Sequence, residues 1–289
     1  MNAQAYKTTP AADLLINQYE FTNEDFCHLR DMIGDYSGIS LSDNKRDLVF
    51  GRLMKRLRAL DLSRFADYCR LLESDRQELE HFVNALTTNL TSFFREAHHF
   101  EHLSGTIIPI LVERLRAGHR VRIWSAGCST GEEPYSIAMT LLDTVPDIGS
   151  YDLKILATDL DTNVVRHAAA GIYADSRIEG LPDKHRQRWF MKGTGSHAGC
   201  IRANDALRKI ITFRPLNLMD AWPLQGLFDV IFCRNVVIYF DKSTQRILFD
   251  RFADQLQPDG HLYIGHSETL HGVSERFDLA GKTLYRKIR

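Results

Sequence analysis

The sequence has few features that would tie it to a membrane, to disulfide bonds or to a metal cluster. No apolar run approaches the roughly 18 residues of a membrane-spanning helix, and the first residues lack the basic start and apolar core of a secretory signal. Its five cysteines are far apart and form no C-x-x-C pair, which is typical of a reducing compartment and disfavours a cysteine-rich zinc site. We therefore expect a cytoplasmic protein without membrane insertion.

The sequence also lacks a net charge of one sign. It contains 36 Lys and Arg against 37 Asp and Glu, so the total charge says nothing about partners until it is resolved along the chain. Hydrophobic residues make up 44% and charged residues 25%. That is ordinary globular composition, and it excludes a disordered chain, a collagen-like repeat and a coiled coil. The length of 289 residues suits one large domain or, better, two.

The first part of the chain predicts a bundle of short helices. Thr22 and Asp25 have the spacing of a capping box, in which two side chains satisfy free N–H groups at a helix start. Apolar residues then recur at helical spacing along four segments. The stripes are Phe26, Leu29, Ile33 and Tyr36; Val49, Leu53, Leu57 and Leu60; Phe65, Tyr68 and Leu72; and Leu79, Phe82, Val83 and Leu86.

From about residue 119, short β-rich runs alternate with helical segments, which predicts an open α/β sheet. The β-rich runs are 121–127, 153–159, 211–215, 228–233, 261–266 and 283–288, and the helical segments are 132–142, 162–171 and 243–256. The glycine-rich and then polar stretch 193–215 breaks the alternation and predicts a small inserted β-hairpin or subdomain. Ligands bind such sheets outside the carboxyl ends of the strands.

The loop after the first strand, AGCSTGEEPYS, contains the first candidate binding residues. Gly127 and Gly131 allow a tight turn and a close approach to a ligand. The loop matches neither G-x-G-x-x-G nor G-x-x-x-x-G-K-[ST], and Glu132 and Glu133 at the helix start discourage phosphate. Two interpretations stay open: simple helix capping, or a cradle for a nucleoside ligand that has no phosphate and carries positive charge.

The second strand ends in ATDLD, which adds a candidate ribose-binding acid. Asp159 lies at the strand end, where a carboxylate accepts hydrogen bonds from both ribose hydroxyls in nucleotide-binding α/β folds. Asp161 is better placed to cap the following helix. A ribose-binding acid, a glycine turn and no phosphate cradle together indicate S-adenosylmethionine, a nucleoside with a sulfonium and an amino-acid tail.

Four segments resemble the chemotaxis receptor glutamate O-methyltransferases, the CheR family: NALTTNLTSFFREAHHF, CSTGEEPYSIA, ATDLD and FDVIFCRNVVIYFD. The resemblance covers the chain from about residue 22 to the end. It implies methyl transfer from S-adenosylmethionine to glutamate side chains on the cytoplasmic helices of chemoreceptors. It also implies a Rossmann-like S-adenosylmethionine-dependent methyltransferase domain with an inserted small antiparallel β-subdomain, preceded by an all-helical N-terminal domain.

The resemblance sets the expected domain ranges. They are a flexible tail at residues 1–20, a helical domain at 21–92, an interdomain linker and helix at 93–118, and a methyltransferase domain at 119–289 with an insertion at about 190–212.

The resemblance also places functional residues one by one. It implies that Arg95 and Tyr239 lie beside the transferred methyl group, and we assign Arg95 to orientation of the incoming carboxylate. Methyl transfer to an anionic carboxylate needs no general base, because glutamate is ionised at neutral pH. The implied cofactor-binding residues are Asn89, Thr91, Arg95, Glu133, Asp159, Asn217, Leu218, Arg234 and Asn235.

Two surfaces are candidates for substrate docking. Residues 45–58 hold six basic residues and one acid, and we expect Arg52, Lys55 and Arg56 to face outward and meet acidic receptor helices. A solvated helix face and a nucleic-acid surface remain alternatives, although no stacking aromatics or recognition motif supports nucleic acid. The stretch FMKGTGSH, with Gly193 and Gly195, resembles a loop that grips a C-terminal receptor peptide in some family members.

Three further residues have simpler interpretations. His98 and His102 share a helix face at i, i+4 spacing, but no third ligand is evident, so no metal site is expected. Cys128 lacks a catalytic histidine partner and is interpreted as a packing residue.

The alternative function is methylation of another substrate such as nucleic acid. Enzymes of this fold that methylate amino groups of DNA usually carry an Asp/Asn-Pro-Pro-aromatic turn, and the absence of this turn after the strand 228–233 disfavours the alternative.

Overall fold

A computed structural model describes residues 19–289 of the chain. The chain divides into two compact units, Met1–Thr87 and Thr88–Arg289. Residues 1–18 of the predicted tail lie outside the described residues. Glu20, which was also predicted to belong to the tail, forms a parallel bridge with Arg64. None of the helices within residues 19–289 is both long and apolar enough to cross a bilayer.

Residues 19–87 of the first unit contain four α-helices, as the apolar stripes predict. They are α1 (Asn23–Ser37), α2 (Arg46–Ala59), α3 (Phe65–Ser74) and α4 (Arg76–Leu86). The capping box at the start of α1 is confirmed, since Thr22 and Asp25 each accept a hydrogen bond from the other's backbone. The stripes are buried as predicted at most positions, but Leu60 and Leu79 are half-buried and Tyr36 is 39% exposed.

Of the three α2 residues predicted to face outward, Lys55 is exposed, whereas Arg52 and Arg56 are only half-exposed. Arg56 Nε donates to Glu78 Oε1 at 2.9 Å, and Tyr68 Oη donates to the same oxygen at 2.8 Å. The Glu78 side chain is only 4% exposed. The expectation was wrong for Arg56 because a buried carboxylate needs a compensating cation.

Arg52 is also occupied within the first unit. Its Nη1 donates to the carbonyl oxygens of Leu86 at 2.6 Å and Thr87 at 2.8 Å. These carbonyls lie at the end of α4, where the last turn of a helix leaves acceptors without intrahelical donors. Arg52 therefore satisfies a helix end and is only half-exposed, which corrects the prediction of a free basic side chain.

The second unit is built on a seven-stranded sheet. Its strands are β1 (Val121–Ala126), β2 (Leu153–Asp159), β6 (Ile211–Pro215), β7 (Phe228–Cys233), β8 (Leu256–Ile264), β9 (Phe277–Gly281) and β10 (Leu284–Lys287). The order is β6-β2-β1-β7-β8-β10-β9. The strands from β6 to β8 are parallel, and β10 and β9 pair antiparallel at one edge. The predicted open α/β sheet is confirmed.

Helices cover both faces of this sheet. They are α5 (His98–His102), α6 (Ile108–Arg116), α7 (Glu132–Thr144), α8 (Thr162–Ala170), α9 (Asp183–Trp189), α10 (Asp205–Ile210) and α11 (Lys242–Gln255). One face packs Ile123, Val230 and Phe232 against apolar residues of α6 and α7. The other packs Trp124 and Ile231 against α11. β7 is buried at every position, as expected for a central parallel strand.

The domain boundaries differ from those predicted. Phe93, Phe100 and Leu111 belong to the same core as Ile123, so residues 93–118 are part of the second unit and not a linker. The apolar face of α6 is the reason, because it needs a sheet to cover it. The first compact unit ends at Thr87. The helical domain therefore ends at residue 87 and not at residue 92, as was predicted.

The small inserted sheet is antiparallel, as predicted, but it begins earlier. Its strands are β3 (Ile172–Ala174), β4 (Phe190–Lys192) and β5 (Cys200–Ala203), in the order β3-β5-β4. β6 starts at Ile211 and pairs with β2 in the large sheet. The small sheet therefore spans 172–203, whereas the predicted range was about 190–212. The difference arises because β5 pairs with β3, which ends 26 residues before β5 begins, as well as with its neighbour β4.

Candidate functional site

The candidate site lies at the carboxyl ends of β2, β1 and β7, which are adjacent parallel strands. Loops 127–131, 160–161 and 234–239 follow these three strands directly. Because parallel neighbours end at the same edge of a sheet, the polar residues predicted from three separate segments come together there.

The glycine loop after β1 is held close to its neighbours. The backbone N–H groups of Gly127 and Cys128 both donate to the Thr158 carbonyl at 2.8 Å. Gly127 has φ +88°, and a Cβ on it would lie 2.3 Å from Val236 Cγ2. Gly131 has φ +100°, and a Cβ there would lie 2.8 Å from Ala168 Cβ. Glycine is therefore required at both positions, by conformation and by space.

Asp159 is the acid at the end of β2. Its Oδ2 accepts a hydrogen bond from the Ser129 N–H at 2.7 Å, and its Oδ1 accepts one from the Asp161 N–H at 3.0 Å. Burial raises the pKa of Asp159 to about 6, although both hydrogen bonds oppose the rise. Each oxygen keeps a second lone pair that can accept from a ligand hydroxyl.

Asp161 begins α8 and also binds the segment before α5. Its Oδ1 accepts from the Asn163 N–H at 2.9 Å, which confirms the predicted helix cap. Asn89 Nδ2 donates to Asp161 Oδ2 at 2.7 Å, and Ser129 Oγ donates to the Asn89 carbonyl at 2.8 Å. The predicted Asn89 thus lies against both the glycine loop and the end of β2.

Thr91 and the start of α7 are joined through one arginine. Arg177 Nη2 donates to the Thr91 carbonyl at 2.9 Å and forms an ion pair with Glu132. Thr130 Oγ1 donates to the other oxygen of Glu132 at 2.6 Å. Glu132 therefore has structural partners on both oxygens, and it fixes the loop on which the predicted residues lie.

Arg234 is the most connected charge of the site. It is buried, and its Nη1 donates to Glu133 Oε2 at 3.0 Å while its Nη2 donates to the Arg95 carbonyl. Glu133 Oε1 accepts from Ser125 Oγ at 2.7 Å. Burial raises the pKa of Glu133, and the charge of Arg234 and the hydrogen bond from Ser125 oppose that rise. Glu133 and Arg234, which were predicted separately, form one buried ion pair.

Arg95 and Tyr239 are half-buried. Arg95 Nη1 donates to the Leu90 carbonyl at 3.0 Å, which closes a turn over residues 90–95. Tyr239 ends a single 3₁₀ turn, Val237–Tyr239, in the loop after β7. The structure thus brings the Arg95 backbone to Arg234 and places Tyr239 five residues further along the same loop.

Asn217 and Leu218 follow β6, beside β2. Asn217 Oδ1 accepts from the Met219 N–H at 3.0 Å, which forms a tight turn. Leu218 is 8% exposed and belongs to the core around Trp124. Because β6 pairs parallel with β2, the two residues lie at the same sheet edge as Asp159.

Sequence reasoning missed Glu268, which positions Asn235. Asn235 has φ +59°, and its N–H donates to Glu268 Oε2 at 3.0 Å. The Gly265 N–H donates to the same oxygen. A Cβ at Gly265 would lie 2.4 Å from Asn235 Nδ2. The buried acid therefore holds a strained backbone at the site. The sequence signal that could have identified this acid is its position shortly after β8, since Gly265 and Glu268 follow another strand that ends at this edge.

Glu96 was also missed. It lies next to Arg95 at φ +59°. Its Oε1 accepts hydrogen bonds from the His266 N–H at 3.2 Å and from His266 Nδ1 at 2.8 Å. Its Oε2 lies 3.4 Å from Arg234 Nη2. Burial disfavours ionisation of Glu96, but His266 and Arg234 outweigh it and lower the pKa to about 2. Nothing in the local sequence distinguishes this acid from a surface glutamate.

Cys128 and the two predicted docking glycines take no part in these ion pairs. Cys128 is 1% exposed, and burial raises its thiol pKa well above the ordinary value, which fits the predicted packing role. Gly193 and Gly195 belong to the turn between β4 and β5. A Cβ at Gly193 would lie 2.1 Å from the His197 carbonyl oxygen, so glycine there is needed for the turn itself.

Comparison with known proteins identifies the family. Residues 24–87 match the family described as "CheR methyltransferase, all-alpha domain", and residues 89–286 match "CheR methyltransferase, SAM binding domain". A probable chemotaxis protein methyltransferase of Rhizobium etli is 48% identical, with 88% of this chain and 96% of that protein covered.

Two further relatives are similarly close. A chemotaxis protein methyltransferase of Escherichia coli is 47% identical over 90% of this chain and 89% of its own length. Chemotaxis protein methyltransferase 2 of Pseudomonas aeruginosa is 44% identical over 96% of this chain and 98% of its own length. The chain therefore belongs to the CheR methyltransferase family, with the all-alpha domain of that family followed by its S-adenosylmethionine-binding domain.

Proposed function

We propose that the protein methylates glutamate side-chain carboxylates on the cytoplasmic helices of chemoreceptors and forms glutamate methyl esters in chemotaxis. The observation that carries the proposal is the match to both family domains over residues 24–286. Relatives that cover most of the chain are named chemotaxis protein methyltransferases. The choice of glutamate as acceptor rests on the sequence resemblance and on the chemistry below.

The residues at the sheet edge fit S-adenosylmethionine. Asp159 offers acceptors for ribose hydroxyls, and Gly127 gives the loop the left-handed turn that packs it against Val236. Glu132 and Glu133 at the start of α7 make the loop unsuited to a phosphate. The proposed cofactor contacts are Asn89, Thr91, Arg95, Glu133, Asp159, Asn217, Leu218, Arg234 and Asn235.

The chemistry requires alignment more than proton transfer. Bound S-adenosylmethionine supplies an electrophilic methyl group on a sulfonium, with a neutral thioether as the leaving group. A glutamate carboxylate is already the nucleophile at neutral pH, since its ordinary pKa is about 4.3. Arg95 orients the carboxylate by charge and hydrogen bonding, and Tyr239 shapes the pocket for the methyl group. Correct placement of reacting groups is a large source of rate.

The ribose role of Asp159 predicts a pH-dependent cofactor affinity. Because burial raises its pKa to about 6, Asp159 takes up a proton as the pH falls through that value and loses acceptor strength. We expect S-adenosylmethionine affinity to fall below about pH 6 and to be lower by roughly 10- to 100-fold in Asp159→Asn at neutral pH. Calorimetric titrations over this pH range measure both effects.

The control for this prediction is Glu133→Gln, because burial raises the pKa of Glu133 as well. If the pH dependence survives in Asp159→Asn and disappears in Glu133→Gln, the ribose assignment belongs elsewhere.

Two surfaces are proposed to dock the receptor. On α2, Lys55 is exposed and is proposed to contact the receptor, whereas Arg52 and Arg56 already bind groups of their own unit. The turn with Gly193 and Gly195 would hold a receptor C-terminal peptide. A flexible tether of that kind can raise local substrate concentration to roughly millimolar values, so the basic contact need only be weak and sensitive to salt.

The decisive experiment is incubation with labelled S-adenosylmethionine and receptor cytoplasmic fragments, with and without their C-terminal peptide. We expect base-labile label on glutamate residues, because methyl esters hydrolyse in base and methylated nitrogen does not. Lys55→Glu should slow labelling at low salt without changing peptide binding. Base-stable label, or label only on added nucleic acid, would refute glutamate esterification.

A further inference from the structure

Three potential metal ligands lie together at the start of α5. Glu96, His98 and His99 each offer one ligand atom, and these atoms lie within 4.8 Å of one another. Glu96 Oε2, His98 Nε2 and His99 Nδ1 are shielded from solvent, and none of them has a hydrogen-bond partner within residues 19–289. Buried polar atoms in folded proteins nearly always have partners. Three such atoms around one point therefore indicate a binding site.

The protonation of His99 follows from its neighbours. Thr283 Oγ1 donates to the Lys282 carbonyl at 2.7 Å, so it accepts the hydrogen bond that joins it to His99 Nε2 at 2.9 Å. His99 Nε2 thus carries the hydrogen. In this tautomer Nδ1 carries no hydrogen and keeps a lone pair.

That lone pair faces another acceptor. His99 Nδ1 lies 3.6 Å from Glu96 Oε2, and an ionised carboxylate oxygen has no hydrogen to donate. Two acceptors at this distance repel each other unless a positive group lies between them. A cation bound by both atoms removes the repulsion.

The atoms that do not face the cluster are held in place. His99 Nε2 is bonded to Thr283, and Glu96 Oε1 is bonded to His266. Histidine and carboxylate ligands of metal ions typically have their second polar atom fixed in this way, which sets the orientation of the ligand. Two of the three candidate ligands show this arrangement.

We infer that Glu96, His98 and His99 bind a divalent transition-metal cation, with Zn²⁺ as the best match. One carboxylate oxygen and two imidazole nitrogens are a ligand set that Zn²⁺ uses together with one open position. Bonds of about 2.0–2.1 Å to a tetrahedral ion separate ligand atoms by roughly 3.4 Å. The Glu96–His99 pair is already near this separation at 3.6 Å, and half-buried His98 can close by side-chain rotation.

Arg234 is the charge that opposes the cation, since its Nη2 lies 3.4 Å from Glu96 Oε2. Its two terminal nitrogens, however, donate to Glu133 and to the Arg95 carbonyl. When Glu96 and Glu133 are ionised, the two carboxylates outweigh the single guanidinium by one negative charge. A divalent cation is therefore not placed in a net positive environment.

The site differs from the histidine pair that the sequence suggested. His102 Nδ1 forms a hydrogen bond with Tyr263 Oη at 2.8 Å, so it has a partner elsewhere. The three candidate ligands are instead His98, its neighbour His99, and Glu96, which lies two residues before His98. The short spacing Glu-x-His-His brings the ligands together because the backbone turns sharply at Glu96, at φ +59°.

The test uses the full chain without an affinity tag, stripped by a chelator. Calorimetry with Zn²⁺ should show one saturable site, and Co²⁺ should give the visible absorption bands of a four-coordinate ion. Glu96→Gln and His98→Ala should weaken Zn²⁺ binding by more than about 100-fold, and Thr283→Val by the roughly 10- to 100-fold typical of an orienting partner. His102→Ala is the matched control and should bind normally.

Folding of each variant is checked by circular dichroism, and His98→Ala is the safest, since His98 is only half-buried. Equal Zn²⁺ affinity in the wild type and in His98→Ala overturns the site. So does the absence of a saturable Co²⁺ spectrum in the wild type. A spectrum lost in His102→Ala but kept in His98→Ala assigns the ion to other histidines and overturns the proposal as well.

Discussion

Replacement of Arg95 by alanine is expected to lower the turnover number by roughly 10²- to 10³-fold, the cost typical of losing one charge-stabilising donor at a reacting group. Cofactor affinity should fall much less, by about tenfold or below, because the proposed partner of the guanidinium is the substrate carboxylate. Some loss of cofactor affinity is expected, because Arg95 Nη1 also donates to the Leu90 carbonyl at 3.0 Å and so closes a turn. Asn89 and Thr91, two proposed cofactor contacts, lie on either side of Leu90 in this turn. The measurements are methylation rates at saturating cofactor and calorimetry with S-adenosylmethionine.

Two comparisons sharpen this result. Arg95→Lys keeps the charge but not the planar fork, so it should recover only part of the rate. Arg116→Ala, at an exposed position of α6, should leave the rate unchanged. If Arg95→Ala destroys cofactor affinity while turnover at saturation is retained, Arg95 is a cofactor-binding residue only and the orienting role is wrong.

Replacement of Arg234 by alanine is expected to destabilise the second unit by about 3–5 kcal/mol, because it leaves buried Glu133 without its counter-charge and removes one of the partners of Glu96. For a unit of this size that corresponds to a fall in melting temperature of roughly 6–20 °C. Intrinsic tryptophan fluorescence reports this unit alone, since Trp124, Trp189 and Trp222 are the three tryptophans of the chain and all lie in it.

The double variant Arg234→Ala with Glu133→Gln identifies the cause. If the loss arises from an uncompensated buried carboxylate, removing that charge as well should restore part of the stability, so the two changes should not add. Arg276→Ala removes a surface pair with Asp254 and should cost less than about 1 kcal/mol. Equal melting temperatures for Arg234→Ala and Arg276→Ala would show that the buried network contributes no net stability.

Much of the architecture could be predicted from local sequence. The uninterrupted apolar run 228–233 predicted a central parallel strand, and β7 is buried throughout. Thr22 with Asp25 and the cap at Asp161 were correct, because a helix start is decided by residues within one turn of each other. Asp159 was placed correctly at the end of β2, because the apolar run stops there.

Other elements follow only from pairing between distant segments. β9 was missed because it is short and lies at the sheet edge with Leu279 66% exposed, so no apolar alternation marks it. β3 was missed because three residues carry no detectable period, and its partner β5 lies 26 residues later. The boundary at residue 92 was misplaced for the same reason, since the sheet that covers α6 is formed by strands further along the chain.

For the site, the sequence by itself determined which residues follow the parallel strands, and hence Asp159, Glu133 and Arg234 at one edge. The tertiary structure decided the roles that depend on a partner far along the chain. Glu268 holds Asn235 across 33 residues, and Glu96 binds His266 across 170. It also turned Arg52 and Arg56 inward, to the end of α4 and to Glu78. Helical spacing tells which side of a helix is polar, but only the packed structure shows what that side meets.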